Sequence, residues 1–178
     1  MTRKTYEFTF TNLANFEDVT LYLPQDTETF VDVDGKAVGL SGYLDLTENE
    51  LGLKYSYTLV ECNLLAKLAI SYPEVDISVI EALYFEEGQD IFEEGFLDNY
   101  LFFDRFEDDR KFVYQLIDQG ILIDFSQTPF DFYLDYEAIG RDILISSSVI
   151  LADKGVAIKE LHVPKFISDM QRVCLGVA

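Results

Sequence analysis

Residues 85–109 read FEEGQDIFEEGFLDNYLFFDRFEDD. Glu86, Glu87, Asp90, Glu93, Glu94, Asp98, Asp104, Glu107, Asp108 and Asp109 stand there against one basic residue, Arg105. Phe85, Phe92, Phe96, Tyr100, Phe102, Phe103 and Phe106 are interleaved with the acids. Acidic tails are normally poor in aromatic residues and remain unfolded. Here the aromatics supply anchors for a folded backbone while the carboxylates stay in water. Glu86, Asp90, Glu94 and Asp98 recur every four residues. On one helix they would form a row, each about 6 Å along the axis from the last. With Glu87 and Glu93 the row carries roughly one charge per 3 Å, close to the phosphate spacing of about 3.4 Å along a B-DNA strand. A solvated helix face is the plain alternative, and Gly88 and Gly95 are potential breaks in the helix.

Around this stretch lies a 178-residue chain, 49% hydrophobic, with a net charge of −20. The apolar fraction suffices for a core. The charge repels nucleic acid and anionic membranes and favours basic partners. Cys62 and Cys174 are too few for a disulfide framework, which fits a cytoplasmic protein with reduced thiols. No secretory apolar segment follows Met1 and no apolar run approaches about 18 residues, so neither export nor a membrane span is expected.

Upstream, Tyr6, Phe8 and Phe10 alternate with polar residues, and Val19, Leu21 and Leu23 repeat the pattern before Pro24. Both read as strands. Thr29–Val33 and Lys36–Leu40 flank Asp34-Gly35, a two-residue hairpin signal. Asp32 and Asp34 lack the other ligands of a calcium loop, so a turn is expected. Tyr43, Leu44 and Leu46 add a strand. Thr58 and Glu61 form a capping box opening a helix that runs towards Pro73. Asp76 or Ser78 caps a second helix. Tyr100–Phe103 reads as a strand or helix edge. Asp104 with Glu107 reads as a further capping box, for a helix that Gly120 stops.

Beyond Pro129 a helix is expected from about Phe130. The β-branched run Ile143–Leu151 reads as a strand, Asp153-Lys154-Gly155 as a turn, and Val156–Leu161 as the returning strand. Residues after Pro164 form a short helix. The fold class is α+β, in three subdomains: a β-rich 1–46, a helical acidic 47–103, and an α/β 104–178 with a terminal extension.

No phosphate-binding Gly-rich loop, nucleophile elbow or zinc spacing occurs. His162 is the single histidine. Carboxylate pairs carry little information among 33 acids. The expectation is a protein that is not an enzyme and uses no metal or cofactor.

The segment YLDYEAIGRD, Tyr133 to Asp142, resembles the antirestriction motif of the ArdA family. Tyr133, Asp135, Tyr136, Glu137, Ala138, Gly140, Arg141 and Asp142 fit it. From charge spacing alone, Glu137 and Arg141 would make an i,i+4 ion pair. The resemblance spans roughly 43–161. Thr58–Ser71, Pro73-Glu74, the acidic middle and Phe106–Gly120 come in the family's order. Asn12-Leu13, Phe16-Glu17 and Leu23-Pro24 match its opening faintly, Asp26–Leu40 departs from it, and the tail after Leu161 extends it. The resemblance implies an elongated mimic of bent B-form DNA, paired as a homodimer and carried by phages and mobile elements. It implies inhibition of a type I restriction–modification enzyme through that enzyme's basic DNA-binding channel, with no direct contact to nucleic acid. The acidic surface would be Glu86, Glu87, Asp90, Glu93, Glu94, Asp98, Asp104, Glu107, Asp108, Asp109 and Asp118. The motif residues would serve the dimer interface. Two alternatives remain: an inhibitor of another DNA-binding complex such as a CRISPR effector, and an acidic housekeeping domain or enzyme.

Overall fold

The structure is a computed structural model and describes residues 4–26, 30–39 and 43–176. It has an α+β fold and divides into two compact units, Met1–Glu94 and Gly95–Ala178. Among the described residues no helix is long and apolar enough to cross a membrane.

The first unit opens with β1 (Tyr6–Asn12) and β2 (Glu17–Leu23), paired antiparallel from Tyr6↔Leu23 to Asn12↔Glu17. The alternation seen in the sequence sorts the side chains. Phe8, Phe10, Leu21 and Leu23 are fully buried on one face, as a period of two requires. On the sheet's opposite face Glu7 and Tyr22 are exposed, and the Thr9 and Thr20 hydroxyls lie 3.2 Å apart.

The Asp34-Gly35 hairpin is smaller than its flanking residues predict. Strands β3 (Phe30–Val31) and β4 (Ala37–Val38) are two residues each, and Thr29 and Leu40 lie outside the described residues. The Asp32 N–H donates to the Lys36 carbonyl, so the loop between them has three residues rather than two. The reason is local. The Asp32 carboxylate accepts the N–H groups of Asp34 and Lys36 at 3.0 and 2.8 Å, and Gly35 takes the left-handed φ of 78° that closes such a loop.

Strand β5 (Leu44–Asn49) pairs with the free edge of β1 and completes the order β2-β1-β5. Helix α1 (Leu59–Ser71) starts at the expected capping box, with Thr58 and Glu61 bonding reciprocally. Leu59, Cys62, Leu65, Ala66 and Ala69 form its buried stripe. Buried Asn63 binds both the N–H and the carbonyl of Gln25, at 2.7 and 3.1 Å, tying α1 to the end of β2. Helix α2 (Ile77–Glu87) is capped by Asp76, which accepts the Ser78 N–H at 3.0 Å.

In the second unit, β6 (Leu101–Asp104), β7 (Ser148–Leu151) and β8 (Gly155–Glu160) form an antiparallel sheet ordered β6-β8-β7. Helices α3 (Asp109–Asp118), α4 (Tyr136–Ser146) and α5 (Lys165–Cys174) complete it. One core holds Phe103, Phe112, Leu116, Tyr136, Ile143 and Ile158.

Three expectations for this unit are corrected. Asp104 and Glu107 do not cap α3. Asp104 ends β6, and Asp108 caps the helix by accepting the Lys111 N–H at 2.8 Å, while Glu107 pairs with the Lys111 ammonium. No α-helix begins near Phe130. A 3₁₀ turn covers Asp131–Tyr133, and α4 opens at Tyr136 because the Asp135 carboxylate takes the Ala138 N–H at 3.0 Å. Finally, Ile143–Leu151 is not one strand. Tyr136, Ile139 and Ile143 share the core face of α4, and that packing outweighs the β preference of the isoleucine. The helix gives way at Ser146 and Ser147, whose hydroxyls bond to the backbone of His162.

Candidate functional site

The carboxylates of the quoted stretch do not form one helical row. Glu86 and Glu87 occupy the last turn of α2. Gly88 then takes φ 67°, a 3₁₀ turn carries Asp90 over Gly88–Phe92, and Glu93 is extended. Gly95, at φ 76°, makes a second break before Asp98, and the two units divide at that point. A residue with a β-carbon is disfavoured at either φ, so the glycines that weakened the helical reading are what end it.

What survives is charge held by a folded backbone. Ile91 is fully buried, the Phe92 ring lies 5.5 Å from that of Tyr84, and Phe85 packs edge-on to Tyr55 at 4.7 Å. These anchors fix the chain between the acids. Glu86 is exposed and Glu87 half-buried at the negative end of the α2 dipole, where no basic residue stands in the last turn. Glu86, Asp90, Glu93, Glu94, Asp98, Asp104 and Asp118 are all exposed. Among the described residues, no ion pair to Lys or Arg joins Glu86, Asp90, Glu93, Glu94, Asp104 or Asp118. Arg105, the one cation in the stretch, donates from its guanidinium to the Asp153 backbone carbonyl at 2.9 Å. Three acids do have local structural work: Glu107 pairs with Lys111, Asp108 caps α3, and half-buried Asp109 begins it.

The sheet of the first unit adds acids that sequence pattern did not single out. Glu7, Thr9, Tyr22, Glu48, Asn49 and Glu50 line a shallow concavity of about 540 Å³ on its solvent face. The Glu7 N–H donates to the Glu50 carboxylate at 3.0 Å, and a hydrogen bond to Glu7 raises the Tyr22 phenol above its ordinary value. Glu7 could have been found from its place between Tyr6 and Phe8. Glu48 and Glu50 needed the register of β5 on β1.

The motif segment separates into supports and surface. Asp135 caps α4. Tyr136 is buried and donates its hydroxyl to Asp131 at 2.9 Å, and burial, with this acceptor, pushes the phenol well above its usual range. Gly140 is buried against the backbone of Asp109. Tyr133, Glu137, Arg141 and Asp142 face solvent, Tyr133 with 87% of its surface exposed. The expected Glu137–Arg141 pair does not form: among the described residues neither makes an ion pair. Both are exposed, and a surface pair contributes too little to hold two long side chains together.

His162 lies beside two acceptors. Its Nδ1 is 2.6 Å from the Ser146 carbonyl and its Nε2 2.7 Å from the Glu160 carboxylate. Burial pushes the Cys62 thiol up to about 12, which makes it an inert core group. Among the described residues no cluster of three or more His, Cys, Asp or Glu could hold a metal ion.

No protein-family model matches the chain. A search of curated proteins finds no match either.

Proposed function

We propose that this chain is a DNA-mimic inhibitor of a host defence nuclease, a type I restriction–modification enzyme, and acts by occupying that enzyme's DNA channel. The observation that carries the reading is the set of exposed carboxylates Glu86, Asp90, Glu93, Glu94, Asp104 and Asp118, held on folded backbone and without Lys or Arg partners among the described residues. The likeness of Tyr133–Asp142 to the ArdA motif supplies the target.

The physics is competition. A DNA channel is lined with Lys and Arg, and DNA gains affinity there by releasing condensed counterions. Carboxylates can take the places of phosphates. Held by a fold, they lose less conformational entropy on docking than a flexible acidic tail would. They offer no base edges, so competition is independent of DNA sequence. No bond is made or broken, and no metal or cofactor takes part. The reading rests on charge held in place and does not require the pitch of a single helix. It includes pairing of two copies through the motif region, which the exposure of Phe132 and Tyr133 supports.

The test is displacement of labelled duplex DNA from a purified type I enzyme. Inhibition is expected at low salt and should weaken steeply as salt is raised to several times the physiological level of about 0.15 M. Competition indifferent to salt would count against mimicry. Phage plating on strains carrying only a restriction system or only a CRISPR system tests the target. Protection confined to the second strain would move the assignment to a CRISPR effector.

A further inference from the structure

Three strand ends of the first unit meet at one end of its sheet. Asn12 pairs with Glu17 of β2 and with Leu44 of β5. One residue beyond each of these positions stands an apolar side chain in solvent. Leu13 is 47% exposed, Phe16 80% and Tyr43 83%. Their backbones are tied together: the Leu13 N–H donates to the Tyr43 carbonyl at 2.9 Å, and the Phe16 N–H to the Asn12 carbonyl at 2.7 Å. Side chains brace the turn as well. Asn12 accepts the Ala14 N–H at 2.9 Å, and Asn15 donates its amide to Glu17 at 2.7 Å.

Phe16 has a φ of 58°, in the left-handed region that a β-carbon disfavours. Glycine would sit there without strain. Folding receives little in return, since most of the ring is in water. A residue that breaks a local rule without a compensating contact is expected where a surface is used.

Charge around the tip selects the partner. Glu17 and Asp18 follow Phe16, and Asp45 follows Leu44. Among the described residues their carboxylates accept from the neutral groups of Asn15, Thr11 and Ser56. No Lys or Arg occurs in residues 11–18 or 43–48. An apolar tip with an anionic collar is repelled by an anionic membrane and by a second copy of itself. We propose that the tip formed by Leu13, Phe16 and Tyr43 docks into an apolar pocket of a partner protein whose rim carries Lys or Arg. This docking does not depend on DNA mimicry, because such a pocket need not bind nucleic acid.

The probe is a labelled amphipathic peptide with one Leu face and one Lys face, compared with poly-Lys of equal charge. By fluorescence anisotropy the full chain binds the Leu/Lys peptide about tenfold tighter or more, the factor expected from burying one large apolar side chain. The L13S/F16S/Y43S variant brings the two ligands to parity without weakening poly-Lys. F16G alone keeps or raises Tm and lowers the preference. A wild-type chain that prefers neither ligand, or a preference that the triple variant retains, overturns the proposal. An F16G variant with a lowered Tm makes Phe16 a folding residue and overturns its docking role. Self-association in sedimentation, or binding to phosphatidylcholine vesicles, that the triple variant abolishes would assign the tip to those occupants instead.

Discussion

A β-carbon on Gly140 would lie 2.1 Å from the carbonyl oxygen of Asp109 and 2.7 Å from its carbonyl carbon. The obstacle is backbone at the start of α3, so no rotamer change relieves it. Helices α3 and α4 can cross this closely only because position 140 has no side chain.

Gly140→Ala is therefore expected to destabilise the second unit. Overpacking costs about 1–3 kcal/mol, and better helix propensity returns about 1 kcal/mol. A backbone obstacle places the net loss near 2 kcal/mol on this scale. Thermal or urea denaturation reads it directly, and an unchanged midpoint would mean the helices separate freely.

Tyr57 and Glu81 make a buried pair in the first unit. The Tyr57 hydroxyl donates to Glu81 at 3.0 Å, and the Lys54 N–H donates to the same oxygen at 3.0 Å. Tyr57→Phe removes one donor from a buried carboxylate and should cost about 1.5–3 kcal/mol. Burial, then Glu81, raises the Tyr57 phenol far above its ordinary value of 10.0. Its contribution is thus complete below pH 10 and falls as pH rises beyond that. Wild type and Tyr57→Phe should converge in stability in alkali.

The two neighbours of His162 favour its protonated form. The Ser146 carbonyl, at the C-terminal end of α4, and then the Glu160 carboxylate raise its pKa above 6.5. Both neighbours are acceptors, so only the doubly protonated ring satisfies both. The stabilisation is full below pH 6.5 and is lost as pH rises through the folded-state value. NMR titration of the single imidazole should place its midpoint above 6.5, and Glu160→Gln should lower it. A midpoint at or below 6.5 would contradict the geometry.

Replacing Glu86, Asp90, Glu94 and Asp98 by their amides tests whether the acidic surface is used. The side chains are exposed, so circular dichroism and Tm should change little. If each charge contributes about 0.2–1 kcal/mol to docking, inhibition of DNA binding should weaken roughly fourfold or more. A folded variant that inhibits normally would show that these four carboxylates make no contact with the target.

Within the motif, support and surface should separate by experiment. Asp135→Ala removes the α4 cap and should cost about 1 kcal/mol. Tyr133→Ala, at an exposed site, should leave the unfolding free energy within about 0.5 kcal/mol of wild type and shift the sedimentation coefficient if two copies pair there. Loss of stability without a change in association would remove Tyr133 from the interface.

Local chemistry was legible wherever neighbours along the chain settled it. The Thr58–Glu61 capping box, the Asp76 cap, the alternation of Tyr6, Phe8 and Phe10, and the strand returning after Gly155 all stand as their residues imply. Misreadings fell where distant residues compete. Asp104 and Asp108 are both plausible caps, and pairing of β6 with β8 takes Asp104. Ile143 favours a strand by its branching, yet its place on the α4 core face decides. The carboxylate row failed because two glycines with positive φ turn the chain between members.

Sequence alone determined the α+β class, the acidity, the interleaving of acids with aromatic anchors, and most helix starts. These depend on periodicity and on hydrogen bonds between residues a few positions apart. Tertiary structure alone decided which carboxylates remain without cations among the described residues, that Gly140 meets Asp109, and that Leu13, Phe16 and Tyr43 share one end of a sheet. Each of those is a contact, or a missing contact, between segments that only packing and strand register bring together.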